Sequence, residues 1–216
     1  MHRVDHPRPS GRVLVLPGGQ ERSRARVRPW QLAQVRAALL TRSLRRRLGP
    51  DYMVEQVRYR HRGWNAPDLD PVADGARAVR AAGSQAGPII LVGHSMGARV
   101  AAHLAAAHDI AGIVALAPWW PDEDADLIPS TCRVRVLHGV ADSWTDAEAS
   151  RRQTVRARGR GVDAQWSGLS RTGHFMLRKF SVWHSVAAQF VIEVGPCSPN
   201  SGVTDDDHRG RRGAQP

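Results

Sequence analysis

Ser95, Asp142 and His174 are three residue types that together make a hydroxyl reactive toward a carbonyl, and each follows an apolar run of this chain. Ser95 sits in Gly93-His94-Ser95-Met96-Gly97, behind Ile89-Ile90-Leu91-Val92 and ahead of an Ala-rich stretch. A G-x-S-x-G of this kind turns a strand into a helix within very few residues. The turn holds the serine in a strained backbone conformation and leaves its hydroxyl free. A serine hydroxyl is a poor nucleophile at neutral pH and needs a base to take its proton. An imidazole can take that proton and later return it to a leaving group. A carboxylate fixes the imidazole tautomer and stabilises the imidazolium. His174, at the end of Ser170-Arg171-Thr172-Gly173-His174, is the candidate base, and Asp142, at the end of His138-Gly139-Val140-Ala141-Asp142, the candidate acid. Asp146 is its rival, but a place at the start of the next helix suits it better to capping. The oxyanion that forms during attack needs preorganised N–H donors. Met96 supplies one amide, just after the nucleophile. Pro17-Gly18-Gly19-Gln20 supplies the other, with Gly19 first and Gln20 second, because paired glycines let the backbone come close.

These residues need a scaffold that brings distant segments together, and the hydrophobic periods describe one. Residues 12–16 form a short apolar strand. Trp30, Ala33, Ala37, Leu40 and Leu44 recur at helical spacing, which predicts a helix over 30–48. Arg45, Arg46 and Arg47 crowd its last turn, where cations suit the helix dipole, and Gly49-Pro50 ends it. Residues 52–59 alternate as a second strand. A helix over 70–82 follows, with Asp70 as its cap and Pro71 in its first turn. The strand 89–92 leads through the Ser95 turn into a helix reaching about 108. Strands over 113–116 and 134–138 come next, joined by a short acidic connection at 121–131. A helix over 145–158, capped by Thr145, precedes a last strand beginning at 163, and 180–194 is the closing helix. Six strands alternating with helical segments form a parallel sheet with helices on both faces. Crossovers are then right-handed, and functional groups gather at the carboxyl ends of the strands.

The chain has 216 residues, a length that suits one domain with a full core. The domain is expected over 12–195, between a polar leader at 1–11 and a polar tail at 196–216 that carries no apolar period. The leader shows no signal-peptide pattern, and no apolar run approaches the length of a membrane span. Cys132 and Cys197 make neither a metal spacing nor a disulfide framework. A cytoplasmic location and no membrane partner follow as expectations. The net charge of +11 is not spread evenly. Residues 1–62 hold 15 arginines against 4 acids, an excess of 11, and the remainder is neutral. No aromatic platform is evident among these arginines, so a solvated face is expected and a nucleic-acid partner is not.

Here the chain resembles the α/β-hydrolase superfamily, in a minimal form similar to small esterase-like and dienelactone-hydrolase-like members. The resemblance covers about residues 12–194. Gly93-His94-Ser95-Met96-Gly97 matches the nucleophile turn, His138-Gly139-Val140-Ala141-Asp142 the acid segment, and Gly173-His174-Phe175 the base segment. Leu16-Pro17-Gly18-Gly19 stands where the family has its oxyanion turn, with Pro17 in place of the usual His. Two strands that usually precede this turn are absent, so about six strands are expected. Only 121–131 occupies the position of a cap domain, so none is expected. Dienelactone hydrolases proper use a cysteine where this chain has Ser95. The resemblance implies a serine hydrolase cleaving carboxylic esters of small to medium size, with no cofactor or metal. Its alternatives are a thioesterase or peptidase-like hydrolase, or a non-catalytic binding protein on the same fold. Gln20, Trp119 and Trp64 are the candidate substrate contacts, with Trp120 and Trp144 as further aromatic neighbours. The oligomeric state is left open.

Overall fold

The computed structural model describes residues 9–83, 87–121, 123–176 and 178–195; the leader beyond residue 9 and the tail with Cys197 lie outside the described residues. Six strands run in chain order as β1 (Gly11–Leu16), β2 (Tyr52–Gln56), β3 (Ile89–His94), β4 (Gly112–Leu116), β5 (Arg133–Gly139) and β6 (Ala164–Leu169). They form one sheet in the order β2-β1-β3-β4-β5-β6, and all five pairings are parallel. Five helices connect them: α1 (Leu32–Leu48), α2 (Asp70–Ala82), α3 (Met96–Ala107), α4 (Ala147–Gly159) and α5 (Phe180–Val194). Between β4 and β5 the described residues carry one 3-10 turn, Asp124–Leu127, and no cap domain.

The period of two along each strand sends alternate side chains to opposite faces. Val13, Val15, Ile90 and Val92 meet Leu40, Leu44, Phe190 and Val191 of α1 and α5. Leu14, Leu16, Leu91 and Ile113 meet the other core, which includes Val100 and Leu104 of α3. A strand covered on both faces reads as a continuous apolar run, and β3 is buried at every position. The register places Leu16 beside Gly93, His94 beside Leu116, and Gly139 beside Leu169. The segments after β1, β3, β5 and β6 therefore leave the sheet along one edge.

Most boundaries shift by one or two residues, and four differences from the sequence expectation have a local reason. Helix α1 begins at Leu32, because Trp30 turns into solvent and Gln31 keeps extended backbone. Strand β2 stops at Gln56, and beyond it the Arg60 N–H is drawn to Asp74 Oδ2 at 2.7 Å. The cap position of α2 is Leu69, in left-handed backbone, while Asp70 turns to Asn65 at 2.8 Å. Asp146, not Thr145, caps α4 by accepting the Ala149 N–H at 2.9 Å.

Candidate active site

Ser95 ends β3 and begins α3 with φ 55° and ψ −118°, a conformation most L-residues avoid. The turn is this tight because backbone touches backbone. A side chain at Gly97 would run into the Leu16 carbonyl, and one at Gly93 into Gly97 itself. The Ser95 N–H is fixed to the Leu116 carbonyl at 2.9 Å, and its own carbonyl receives Ala98 N–H at 3.0 Å and Trp119 N–H at 3.3 Å. The hydroxyl lies 3.1 Å from His174 Nε2.

On its other side, His174 Nδ1 lies 2.8 Å from Asp142 Oδ2. The Asp142 side chain is fully buried, yet it gathers donors from all round. Its Oδ1 accepts the N–H groups of Trp144 at 2.8 Å and Thr145 at 3.0 Å. Its Oδ2 accepts the Thr145 hydroxyl at 2.8 Å and faces His138 Nε2 at 3.1 Å. Burial pushes this carboxyl up; the bonds from His138, His174, Thr145 and Trp144 outweigh it and hold the group well below the usual carboxylate range. An ionised carboxylate only accepts, so the two imidazoles both turn an N–H toward it. The other nitrogen of His138 lies 2.8 Å from Ser150 Oγ, which also receives Trp166 Nε1–H at 2.9 Å. The base loop is pinned separately. Buried His94 donates through Nε2 to the His174 carbonyl at 3.0 Å, and Ala141 N–H bonds the Thr172 carbonyl at 3.1 Å.

The rival carboxylate, Asp146, occupies the helix cap and is turned away from the imidazole. Thr145 was expected to cap; its hydroxyl belongs to the Asp142–His174 contact instead, 3.2 Å from His174 Nδ1. Nothing in its position marks this, since the role appears only when the base loop folds across it.

Across the serine, Gly19 lies against the start of α3. A side chain there would collide with the Met96 thioether and the Arg62 carbonyl. Gln20 is differently committed. Its N–H donates to the Arg62 carbonyl at 2.9 Å and its carbonyl accepts Trp64 N–H at 2.8 Å, leaving only its side chain free in solvent. The loop 17–31 is held along its length in this way. Gly63 N–H bonds Ser23 O, Arg62 N–H bonds Ala25 O, and Val27 N–H bonds Arg60 O. Buried Asn65 is the one side chain in this ladder, accepting Ser23 N–H at 2.8 Å and donating to Ser23 O and Asp70.

Trp119 is half-buried and stands beside the serine. Trp64 does not join it at the surface. It is buried at 3% exposure, edge-on to Trp119 at 6.3 Å, and the Arg99 guanidinium lies over both rings at 4.3 and 4.8 Å. That burial leaves little of the ring for a substrate to touch; Trp64 packs against Trp119 and Arg99. Trp144 does the opposite. It is 71% exposed, and its indole stacks on the His174 ring at 5.8 Å and 8°.

A family description, "Alpha/beta hydrolase family", matches residues 11–212. The chain belongs to the α/β-hydrolase family. It is a hydrolase with no cap domain among the described residues, and its sheet is shared by solved structures of distant sequence. Est1E from Butyrivibrio proteoclasticus superposes with a TM-score of 0.62 at 13% identity, over 90% of this chain and 91% of that one. XC6422 from Xanthomonas campestris, described as an α/β serine hydrolase without a lid, gives 0.63 at 20% identity over 91% and 88%. A thermophilic esterase from Thermogutta terrifontis gives 0.62 at 17% identity over 91% and 88%. No curated protein sequence matches the chain.

Proposed function

We propose that this hydrolase is a serine esterase, acting on carboxylic esters of small to medium size through an acyl-enzyme on Ser95. The observation that carries the reading is the line from Ser95 Oγ to His174 Nε2 at 3.1 Å and from His174 Nδ1 to Asp142 Oδ2 at 2.8 Å. As Ser95 Oγ bonds to the ester carbon, its proton passes to His174 Nε2, and the imidazolium is stabilised by Asp142. The carbonyl oxygen becomes an oxyanion facing the N–H groups of Met96 and Gly19. Gly19 is favoured over Gln20 as the second donor because the Gln20 N–H is already engaged with Arg62. Collapse breaks the bond to the alcohol oxygen, which leaves with the proton from His174. Water then repeats the cycle on the acyl-enzyme and restores the serine.

Esters of modest size are favoured by the aromatic side chains near the serine. A groove of about 460 Å³ open to solvent is lined by Trp119, Trp144, Arg152 and Arg156. The side chain of Gln20 is exposed. The Thermogutta protein, described as an esterase, and the Xanthomonas protein, described as a serine hydrolase, agree with this chemistry.

Hydrolysis of p-nitrophenyl acetate by the wild type and by Ser95→Ala tests the proposal. The wild type is expected to exceed background, and the variant to lose at least about 10³-fold in kcat. A fluorophosphonate probe is expected to label Ser95 in peptide mapping. Equal rates for the two proteins, or a label on another residue, would remove the reading.

A further inference from the structure

Residues 22–50 contain nine arginines and no aspartate or glutamate. Among the described residues only one of the nine, Arg24, reaches a carboxylate, that of Asp68. The same stretch leaves four large apolar side chains in water: Trp30 at 72% exposure, Leu32 at 74%, Val35 at 40% and Leu39 at 50%. Helix α1 already buries one apolar face, with Ala37, Leu40, Leu44 and Leu48 against the sheet. Leu32, Val35 and Leu39 are spaced by three and four, so they form a second stripe on its outer side. Arg42 and Arg46 continue that stripe toward the helix C-terminus. Arg28 lies over the Trp30 ring at 5.9 Å just before the helix. The solvated arginine face expected from composition therefore carries an apolar ridge as well.

We infer that the outer face of α1 docks on an anionic lipid surface. Both halves of the observation are needed for that partner. Exposed Trp and Leu enter the boundary between headgroups and acyl chains, and flanking arginines meet the lipid phosphates. A second copy of this chain fits poorly, since it would bring nine arginines against nine. A nucleic acid would pair the arginines and leave the aliphatic ridge in water. No helix among the described residues is long and apolar enough to cross a membrane, so the contact is one of surface.

The position of α1 connects this face to the site. The helix follows directly from the loop that carries Gly19, and its Arg36 guanidinium lies 4.7 Å over the ring of Phe175, next to His174. Docking through the first turns of α1 therefore brings the mouth close to the lipid, where esters held in a bilayer become accessible. That consequence rests on the esterase reading; the docking itself does not.

The test is co-sedimentation of the full chain with vesicles of phosphatidylcholine, with and without about one-third phosphatidylserine, at about 0.1 M salt. Binding is expected only with phosphatidylserine and is expected to weaken as salt rises. Replacing Arg42 and Arg46 by Gln should lower partitioning about 25-fold, roughly fivefold for each arginine. The triple change Leu32→Ser, Val35→Ser, Leu39→Ser should lower it at least about tenfold. All of these side chains are exposed, so circular dichroism and hydrolysis of a soluble ester should match the wild type. The inference is overturned if the wild type stays in solution with both vesicle types, or if the serine variant binds as the wild type does. A wild-type dimer that becomes monomeric in the serine variant would overturn it too, by giving the ridge to a second copy. Vesicle binding is read without any turnover, so its failure and the failure of the esterase reading are separate results.

Discussion

The two sides of the candidate site are held by different forces. On the acid–base side, one buried carboxylate collects five donors: two imidazoles, a hydroxyl and two backbone N–H groups. Charge-assisted bonds of this kind are short and strong, and each partner holds the others in place. The oxyanion side has no charged centre. Its 15-residue loop, 17–31, is positioned by a backbone ladder with residues 60–65 and by the three bonds of Asn65. The comparison shows two ways to preorganise a reaction. One concentrates the task in a single side chain, and the other distributes it along two loops. The first should fail all at once and the second by degrees.

The sharpest break is Asp142→Asn. The amide keeps the shape but presents an NH₂ where two imidazole N–H groups already point, so His174 is driven toward the wrong tautomer. A fall of about 10³–10⁴ in kcat is expected, with KM little changed. Pre-steady-state and steady-state hydrolysis of p-nitrophenyl acetate measure it. A loss of less than about tenfold would mean that the carboxylate is not part of the chemistry.

Asn65→Ala attacks the other side and should cost less. It removes a side chain that ties Ser23 to the 60–65 loop, the only one among the described residues, and it strips a partner from buried Asp70. The Gly19 N–H is then held less firmly, which should lower kcat by about 10–100-fold. That is part of what a whole oxyanion donor is worth. KM should shift less than kcat, because loose ground-state contacts survive a mobile donor. An unaltered kcat with a lowered Tm would show that Asn65 stabilises the fold and does nothing for the oxyanion.

The same contrast separates what the sequence discloses from what it withholds. The limits of α2 and α5 can be read directly, because their apolar periods end at Gly or at a Pro-containing turn. The six parallel strands follow from the alternation of short apolar runs with helical ones. Ser95, Asp142 and His174 stand out because each closes a motif of fixed local spacing. Thr145 does not, since one of its two partners, His174, arrives from a loop 29 residues away. The His138 contact with Asp142 had a visible signal in the four-residue spacing of the acid segment. Asn65 carried a weaker hint, a lone Asn between Trp64 and Pro67, and its left-handed φ of 55° is known only from the fold. The burial of Trp64 has no local signal either, because Arg99 and Trp119, which cover it, come from distant segments. Local spacing marks the candidate groups. Which loops hold them is fixed by long-range approach, and a single sequence carries little of that.

The mildest break lies behind the base, at His94. Burial, with His174 nearby adding to it, lowers its pKa from 6.5 to about 3, so the folded protein refuses a proton that the unfolded chain accepts. Below pH 6.5 the unfolded chain therefore holds more protons, and stability falls as pH falls, by up to about 1.4 kcal/mol per unit, until pH nears 3. His184, lowered by burial to about 4, acts in the same sense. Asp142 works in another window: its depressed pKa adds stability that starts to be lost only below about pH 5, near the unfolded carboxylate range. His94→Gln keeps a side-chain N–H for the His174 carbonyl and removes the titration. Urea midpoints at about pH 7 and about pH 5 should then differ less in the variant than in the wild type, while kcat at neutral pH stays within about threefold. An equal drop in both proteins would assign the acid sensitivity to His184 or other groups, and would leave His94 as a packing group with no part in holding the base loop against protonation.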